Sequence, residues 1–158
     1  MADQFILIRQ AEYDGRKLTS GGRDQMVILA RKLKDANLVP DQIFVTSDPA
    51  ARLSGLQLAD AFKNFSTIRP QVIGQNLYTP AKADEADFPA TLARMAARPS
   101  PLQIAFVGPH YLTHRTTRHL GNVISLPHGA AAVLPLDPTR EKFDGSAIKV
   151  ILPELNGH

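Results

Sequence analysis

The sequence contains no cysteine, and this absence excludes two kinds of site at the outset. Without thiols the chain can form no disulfide framework and can bind no metal through thiolate ligands. No apolar run approaches the ~20 residues that a membrane-spanning helix needs. The first residues also lack the basic segment and apolar stretch of a signal peptide. We therefore expect a soluble, cytoplasmic protein.

A strong surplus of charge is missing as well. The formal net charge is +3 over 158 residues, which is too small to indicate nucleic-acid binding by itself. Hydrophobic residues make up 44% of the chain, which is typical of a globular protein. The length fits a single domain over residues 1–158 with a core of ordinary size. A few arginines that converge on an anion remain compatible with this composition.

The first apolar run of the chain leads directly into an arginine. Phe5-Ile6-Leu7-Ile8 is followed by Arg9. A short continuous apolar run between polar residues is typical of a strand that is buried on both faces, as in parallel sheets. Such sheets bind ligands outside the carboxyl ends of their strands. The pattern therefore places Arg9 where a fold of this class binds anions.

Strand and helix patterns alternate through most of the chain. Periodic apolar positions predict a helix that begins at Thr19 or Ser20 and ends at Asn37. Asp48 and Pro49 predict the start of a second helix, with Asp48 as its capping carboxylate. The inner face of this second helix is predicted to hold Leu53, Leu56, Ala59 and Phe62. Further strands are predicted over residues 42–46, 68–73, 102–107, 130–136 and 147–152, and further helices over 84–98 and 111–120.

This order of elements predicts an α/β fold. Strands that alternate with helices form parallel sheets covered on both faces, so we predict a three-layer α/β/α architecture. The last two strands are close enough in sequence to pair as a hairpin. We therefore expect a mainly parallel, mixed sheet with one antiparallel edge.

Three of the predicted strands end in polar segments that share one edge of such a sheet. Arg9 follows the first strand, Arg52 follows the second, and His110 follows the strand over 102–107. Two guanidinium groups offer fork-shaped donors for phosphate oxygens, and a helix start adds backbone donors. For one arginine alone a surface ion pair is the simpler interpretation, and Glu12 and Asp14 are expected to orient Arg9. Two arginines at one edge favour an anion pocket.

The same segments resemble the histidine phosphatase (phosphoglycerate mutase-like) superfamily, above all its small SixA-type phosphohistidine phosphatases. Ile8-Arg9-Gln10-Ala11-Glu12 is similar to the family's opening R-H-G or R-H-A-E. Leu18-Thr19-Ser20-Gly21-Gly22-Arg23 resembles L-T-x-x-G-R, and Thr46-Ser47-Asp48-Pro49-Ala50-Ala51-Arg52 resembles S-S-P-x-x-R. Phe106-Val107-Gly108 and Leu126-Pro127-His128-Gly129-Ala130 resemble later segments. The order and spacing agree over nearly the whole chain.

The departures from this resemblance concern the reacting groups. The resemblance implies a nucleophilic histidine directly after the first arginine, and the residue there is Gln10. A carboxamide nitrogen is not a nucleophile and cannot carry a phosphoryl group. The position of the second histidine falls on Pro109, with His110 one residue late, and Asn76 stands near the place where such sequences often have a glutamate. The resemblance thus implies a phosphatase fold whose catalytic groups are lost or moved.

From these observations we predict a pseudoenzyme, catalytically impaired or inactive, that binds a phosphoryl group or a similar anion. The expected ligand is a phosphate-containing small molecule or a phosphoprotein, and no nucleic acid is expected. No cofactor is implied, because the chemistry of the family needs no metal. The predicted pocket residues are Arg9, Gln10, Arg52 and His110, with Ser47 and His128 as weaker candidates.

Other functions stay open at this stage. An active phosphatase would use His110 as the nucleophile or as the base for water, with the two arginines stabilising the transition state. A structural or partner-binding domain would carry only a vestigial pocket. His110 and His114 have a spacing that can hold a metal on a helix, but Arg115 and Arg118 would repel a cation. We therefore expect no metal site.

Overall fold

The structure, a computed structural model, describes residues 4–46, 48–64, 66, 68–75, 103–108, 125–137, 142–143 and 149–154. The predicted helices over 84–98 and 111–120 lie outside these residues. The described elements are β1 (Gln4–Arg9), α1 (Ser20–Asp35), β2 (Gln42–Thr46), α2 (Pro49–Phe62), β3 (Gln71–Gln75), β4 (Gln103–Gly108), β5 (Ala131–Asp137), β6 (Lys142–Phe143) and β7 (Lys149–Ile151).

The described strands form one mixed sheet. Its order is β3-β2-β4-β1-β5-β6, and β7 also pairs with β5. The first four strands of this order are parallel to one another. β5 is antiparallel to β1, and β6 and β7 are antiparallel to β5. The predicted α/β class, the mixed sheet and its antiparallel edge are therefore confirmed.

The register of the parallel strands aligns the ends of β1 and β2. Ile8 of β1 and Val45 of β2 both pair with Val107 of β4, which lies between them. Arg9 in turn pairs with Gly108. The carboxyl ends of β1 and β2 therefore lie at the same height, separated by two strand spacings, or about 10 Å. This common edge carries the candidate site.

The sheet is buried on both faces. Helices α1 and α2 pack against each other and against one face of the sheet. Side chains alternate along a strand, so Leu7 and Phe44 face the opposite side, and both are fully buried. Burial on both faces is what the continuous apolar strands predict. The core on the helix side includes Ile6, Ile8, Met26, Leu29, Leu33, Ile43, Val45, Leu58, Phe62 and Val107.

Helix α1 has the predicted N-cap, and it ends at Asp35, two residues before the predicted Asn37. The Oγ1 atom of Thr19 accepts a hydrogen bond from Gly22 N at 2.9 Å, which satisfies one of the free donors of the first turn. The helix ends at Asp35, and Asn37 follows with a φ of 60°. Asparagine tolerates this left-handed conformation better than most residues do, so it ends the helical stretch.

Prolines mark two further boundaries. Helix α2 begins at Pro49, as predicted, but Asp48 makes no side-chain cap, and the predicted capping carboxylate is wrong. The Oδ2 atom of Asp48 instead accepts a hydrogen bond from Thr46 Oγ1 at 3.2 Å. The third strand begins at Gln71 rather than at residue 68, because Pro70 has no N–H for strand pairing.

The inner face of α2 also differs from the prediction. Leu56 was expected inside and is 46% exposed, whereas Ser54, Gly55 and Leu58 are buried. The cause is the close approach of α2 to β2, since a Cβ atom at Gly55 would collide with Val45. Small residues therefore face the sheet at this point, and the larger Leu56 is turned outward.

Candidate functional site

A turn over residues 125–130 encloses the carboxyl end of β1. Arg9 N donates a hydrogen bond to Ala130 O at 3.0 Å, and Arg9 O accepts one from Gly129 N at 3.0 Å. Gly129 has a φ of +75°, and a Cβ atom there would lie 2.9 Å from Cβ of Gln25 in α1. Only glycine combines this conformation with this space. The turn is thereby fixed directly beside Arg9.

The Arg9 side chain is half-buried and is held by this turn. Its Nη1 donates to Leu126 O at 2.8 Å, and its Nη2 lies 3.2 Å from Nε2 of His128. Its Nε is buried without a hydrogen-bond partner among the described residues. Burial lowers the pKa of Arg9, because desolvation disfavours the charged form. Of its five N–H groups, the described residues engage two; the others are the buried Nε–H and one N–H each on Nη1 and Nη2.

Gln10 lies immediately beyond β1 and is also half-buried. Its backbone N donates to Gly108 O at 2.9 Å, and its backbone oxygen lies 3.4 Å from Nδ1 of His128. Its side-chain oxygen Oε1 is buried and has no hydrogen-bond partner in the described part of the chain. A buried polar atom of this kind is costly unless another group completes its bonding. Among the described residues, Arg9 thus has an unpartnered donor and Gln10 an unpartnered acceptor.

A buried serine joins the segment after β1 to helix α2. Ala11 N donates to Ser54 Oγ at 2.9 Å, and Ser54 Oγ donates to Ala50 O at 2.6 Å. These bonds hold Gln10 and Ala11 beside the first turns of α2. Sequence reasoning missed Ser54, and the available signal was a serine within an otherwise apolar helix face.

Arg52 lies in the first turn of α2, at the same edge of the sheet as Arg9. Its backbone N donates to Asp48 O at 3.0 Å, and its side chain is exposed, with no partner among the described residues. The N-terminus of α2 adds the positive end of the helix dipole to this edge. The edge therefore combines one fixed, half-buried guanidinium with one exposed guanidinium.

The groups that orient Arg9 differ from those expected. The Oδ1 atom of Asp14 accepts hydrogen bonds from the backbone N of Lys17 at 2.9 Å and of Arg16 at 2.8 Å, which lower the pKa of Asp14. Arg9 forms no ion pair within the described residues. The expectation that Glu12 and Asp14 orient Arg9 is therefore wrong. A backbone carbonyl and a histidine hold it instead.

Two predicted pocket residues, Ser47 and His110, lie outside the described residues, as does His114. Their proposed roles stay predictions. Of the weaker candidates, His128 is in contact with Arg9.

Within the described ranges no group of three or more His, Cys, Asp or Glu side chains could hold a metal ion. No helix in those ranges is long and apolar enough to cross a membrane.

The start of α1 packs closely against the strand-to-helix segment of the site. Thr19 N donates to Glu12 O at 3.1 Å, and Glu12 N donates to Oε1 of Gln25 at 3.1 Å. Gly22 lies so close to this segment that an added Cβ atom would collide with Glu12 O. A glycine is required here because backbone atoms, unlike a flexible side chain, cannot move aside cheaply.

We predict that Gly22→Ala lowers the free energy of unfolding by about 1–3 kcal/mol, the usual cost of overpacking. The neighbouring substitution Gly21→Ala is a matched control, because the nearest atom to its Cβ would be Thr19 Oγ1 at 3.8 Å. It should leave the stability unchanged or slightly higher, since alanine favours a helix. Urea unfolding of both variants measures the difference, and equal stabilities would contradict the packing argument.

Comparison with known proteins supports the fold assignment. No protein-family model and no curated protein matches the sequence. Among solved structures, a protein histidine phosphatase SixA complexed with tungstate is similar, with a TM-score of 0.73 and 16% identity over 95% of this chain and 97% of that one. A mycobacterial glucosyl-3-phosphoglycerate phosphatase has a TM-score of 0.62 and 13% identity over 96% and 97% of the two chains.

A third similar structure is a variant phosphoserine phosphatase from Entamoeba histolytica in complex with phosphoserine. Its TM-score is 0.59, and its identity is 12% over 96% of this chain and 95% of that one. At sequence identities this low, the structural similarity establishes the fold and nothing further. The chain therefore has the fold of the histidine phosphatases, as the resemblance of its motifs predicted.

Proposed function

We propose that the chain is a histidine-phosphatase-like protein that binds a phosphoryl group or a similar anion and hydrolyses it slowly or not at all. The observation that carries this proposal is the state of Arg9. Its guanidinium is half-buried at the carboxyl edge of the sheet, is fixed by two hydrogen bonds, and has a buried Nε without a partner among the described residues. A cation placed in this way is completed by an anion.

The chemistry of the edge fits a tetrahedral oxyanion. The free N–H groups of Arg9 can donate to two oxygens of one phosphate, which is the geometry that a guanidinium provides and an ammonium does not. Arg52 and the N-terminus of α2 add positive charge at the same edge. The solved structures of this fold with tungstate and with phosphoserine support an anion of this class as the ligand. Ser47 and His110 remain proposed members of the pocket.

The lack of turnover follows from Gln10. By the resemblance, this residue occupies the position of the nucleophile, and its amide cannot form a phosphoenzyme. Its amide N–H groups can still donate hydrogen bonds to a phosphate oxygen, whereas its Oε1 can only accept and contributes nothing to anion binding. We therefore assign Gln10 to ligand binding. The ligand is a phosphate-containing small molecule or a phosphorylated protein.

Calorimetric titration with inorganic phosphate tests the proposal. We expect wild-type protein to bind phosphate, and Arg52→Ala to weaken binding by about twofold to fivefold, the usual worth of an exposed charge. Arg69→Ala is the matched control, because Arg69 is exposed just before β3, at the opposite edge of the parallel strands. It should leave the affinity unchanged. If wild type binds neither phosphate nor vanadate, the pocket is vestigial and the proposal fails.

A further inference from the structure

The contacts of His128 indicate which tautomer its neutral ring adopts. Its Nε2 lies 3.2 Å from Arg9 Nη2, and its Nδ1 lies 3.4 Å from Gln10 O. A guanidinium nitrogen can only donate, so Nε2 must be the acceptor. A carbonyl oxygen can only accept, so Nδ1 must carry the proton. The neutral Nδ1–H tautomer is the one form of the ring that satisfies both contacts.

We propose that His128 is a positioning residue for the anion site. Its neutral ring links the backbone of Gln10 to the guanidinium of Arg9 and fixes the direction in which Arg9 offers its remaining N–H groups. This inference rests on the proposed function, since the orientation matters only if Arg9 binds an anion.

The ring can perform this role because its own backbone is fixed. Gly129 N donates both to Arg9 O at 3.0 Å and to Gln10 O at 3.3 Å, and Ala130 N donates to Pro127 O at 3.1 Å. The turn therefore carries the ring and the Leu126 carbonyl to Arg9 together. An arginine that is already ordered loses less conformational freedom when it binds, so its affinity for an anion is higher.

The charged groups around the His128 ring are compatible with Nε2 as a hydrogen-bond acceptor. Among the described residues, the Arg9 guanidinium is the charged group in contact with the ring, and no carboxylate forms an ion pair with it. The α1 side chains nearest to the adjacent Gly129 are Gln25 and Met26, and both are uncharged. The described contacts contain no partner that would require a proton on Nε2.

Nitrogen NMR of the full-length protein reads the tautomer directly. In long-range ¹H–¹⁵N spectra at pH 8 without phosphate, we expect the His128 ring as the Nδ1–H form, with the signal assigned by its loss in His128→Gln. A ring in the Nε2–H form would point a hydrogen at Arg9 and would overturn the inference. This measurement needs no ligand and so does not depend on the proposed function.

Phosphate titration then tests the consequence for binding. In His128→Phe the ring volume is kept and the acceptor is lost, and we expect affinity to fall by about tenfold as the orientation of Arg9 relaxes. In His128→Gln the side-chain oxygen can reach as far as Nε2, so most of the lost affinity should return. Melting temperatures of both variants exclude simple unfolding, and His128→Leu replaces His128→Phe if the latter does not fold.

The outcomes separate the two proposals. If wild type binds phosphate and His128→Phe binds equally well, the positioning role is wrong while the proposed function stands. If His128→Gln is as weak as His128→Phe, the acceptor is not what matters and the inference is also overturned. If wild type itself binds no phosphate, the proposed function is wrong, and the positioning role, which rests on it, is wrong as well.

Discussion

Gln10→His should raise the hydrolysis of an aryl phosphate by on the order of 10²-fold or more over wild type, because loss of a nucleophile costs about 10⁴–10⁶ in comparable covalent enzymes. The imidazole would stand beside Arg9, on a backbone that is already fixed by hydrogen bonds to Gly108 O and from Gly129 N. The gain should be partial, since the sequence shows no proton donor at the position that the resemblance implies. The rate of hydrolysis is measured by the absorbance of the phenol that is released.

The phosphoryl intermediate gives a second measurement of the same variant. Gln10→His should acquire an acid-labile phosphoryl adduct that intact-protein mass spectrometry detects, whereas wild type should not. Gln10→Asn is the control for a changed side chain without an imidazole, and it should remain inactive. If wild type already hydrolyses the substrate rapidly and His110→Ala abolishes the activity, the chain is an active phosphatase and the role assigned to Gln10 is wrong.

The sequence was sufficient to predict the sheet because the signal lies within each segment. Four apolar residues before Arg9 indicate a strand buried on both faces, and the alternation of strands and helices indicates parallel pairing. The inner face of α2 could not be predicted in this way. Periodicity locates apolar side chains, but the distance between α2 and β2 decides whether Leu56 or Gly55 can face the sheet.

In the candidate site, too, some features could be predicted from the sequence and others could not. The position of Arg9 follows from the strand before it, so the sequence predicts it. Its partners do not follow, because His128 lies 119 positions away and is brought to Arg9 by the antiparallel pairing of β5 with β1. The carbonyl of Leu126 carries no signal at all, since every residue has one. The bond from Ala11 to Ser54 spans 43 positions and depends on the same tertiary packing.

Arg9→Ala should weaken phosphate binding by about 10²-fold or more, because it removes a pair of charge-assisted hydrogen bonds to the anion. The effect should exceed that of Arg52→Ala, since Arg9 is half-buried and held in place while Arg52 is exposed to solvent. Arg9→Lys keeps the charge and loses the fork, so it should recover only part of the affinity. Calorimetric titration with phosphate measures all three variants.

Stability must be separated from binding in this experiment, because Arg9 also anchors the turn over residues 125–130. Loss of the bonds to Leu126 and His128 should lower the melting temperature of Arg9→Ala, and titration is therefore carried out well below it. Arg69→Ala removes the same charge from the opposite edge of the sheet and should bind phosphate as wild type does. If Arg9→Ala is folded and retains wild-type affinity, the Arg9 guanidinium does not bind the anion, and the observation on which the proposed function rests is misinterpreted.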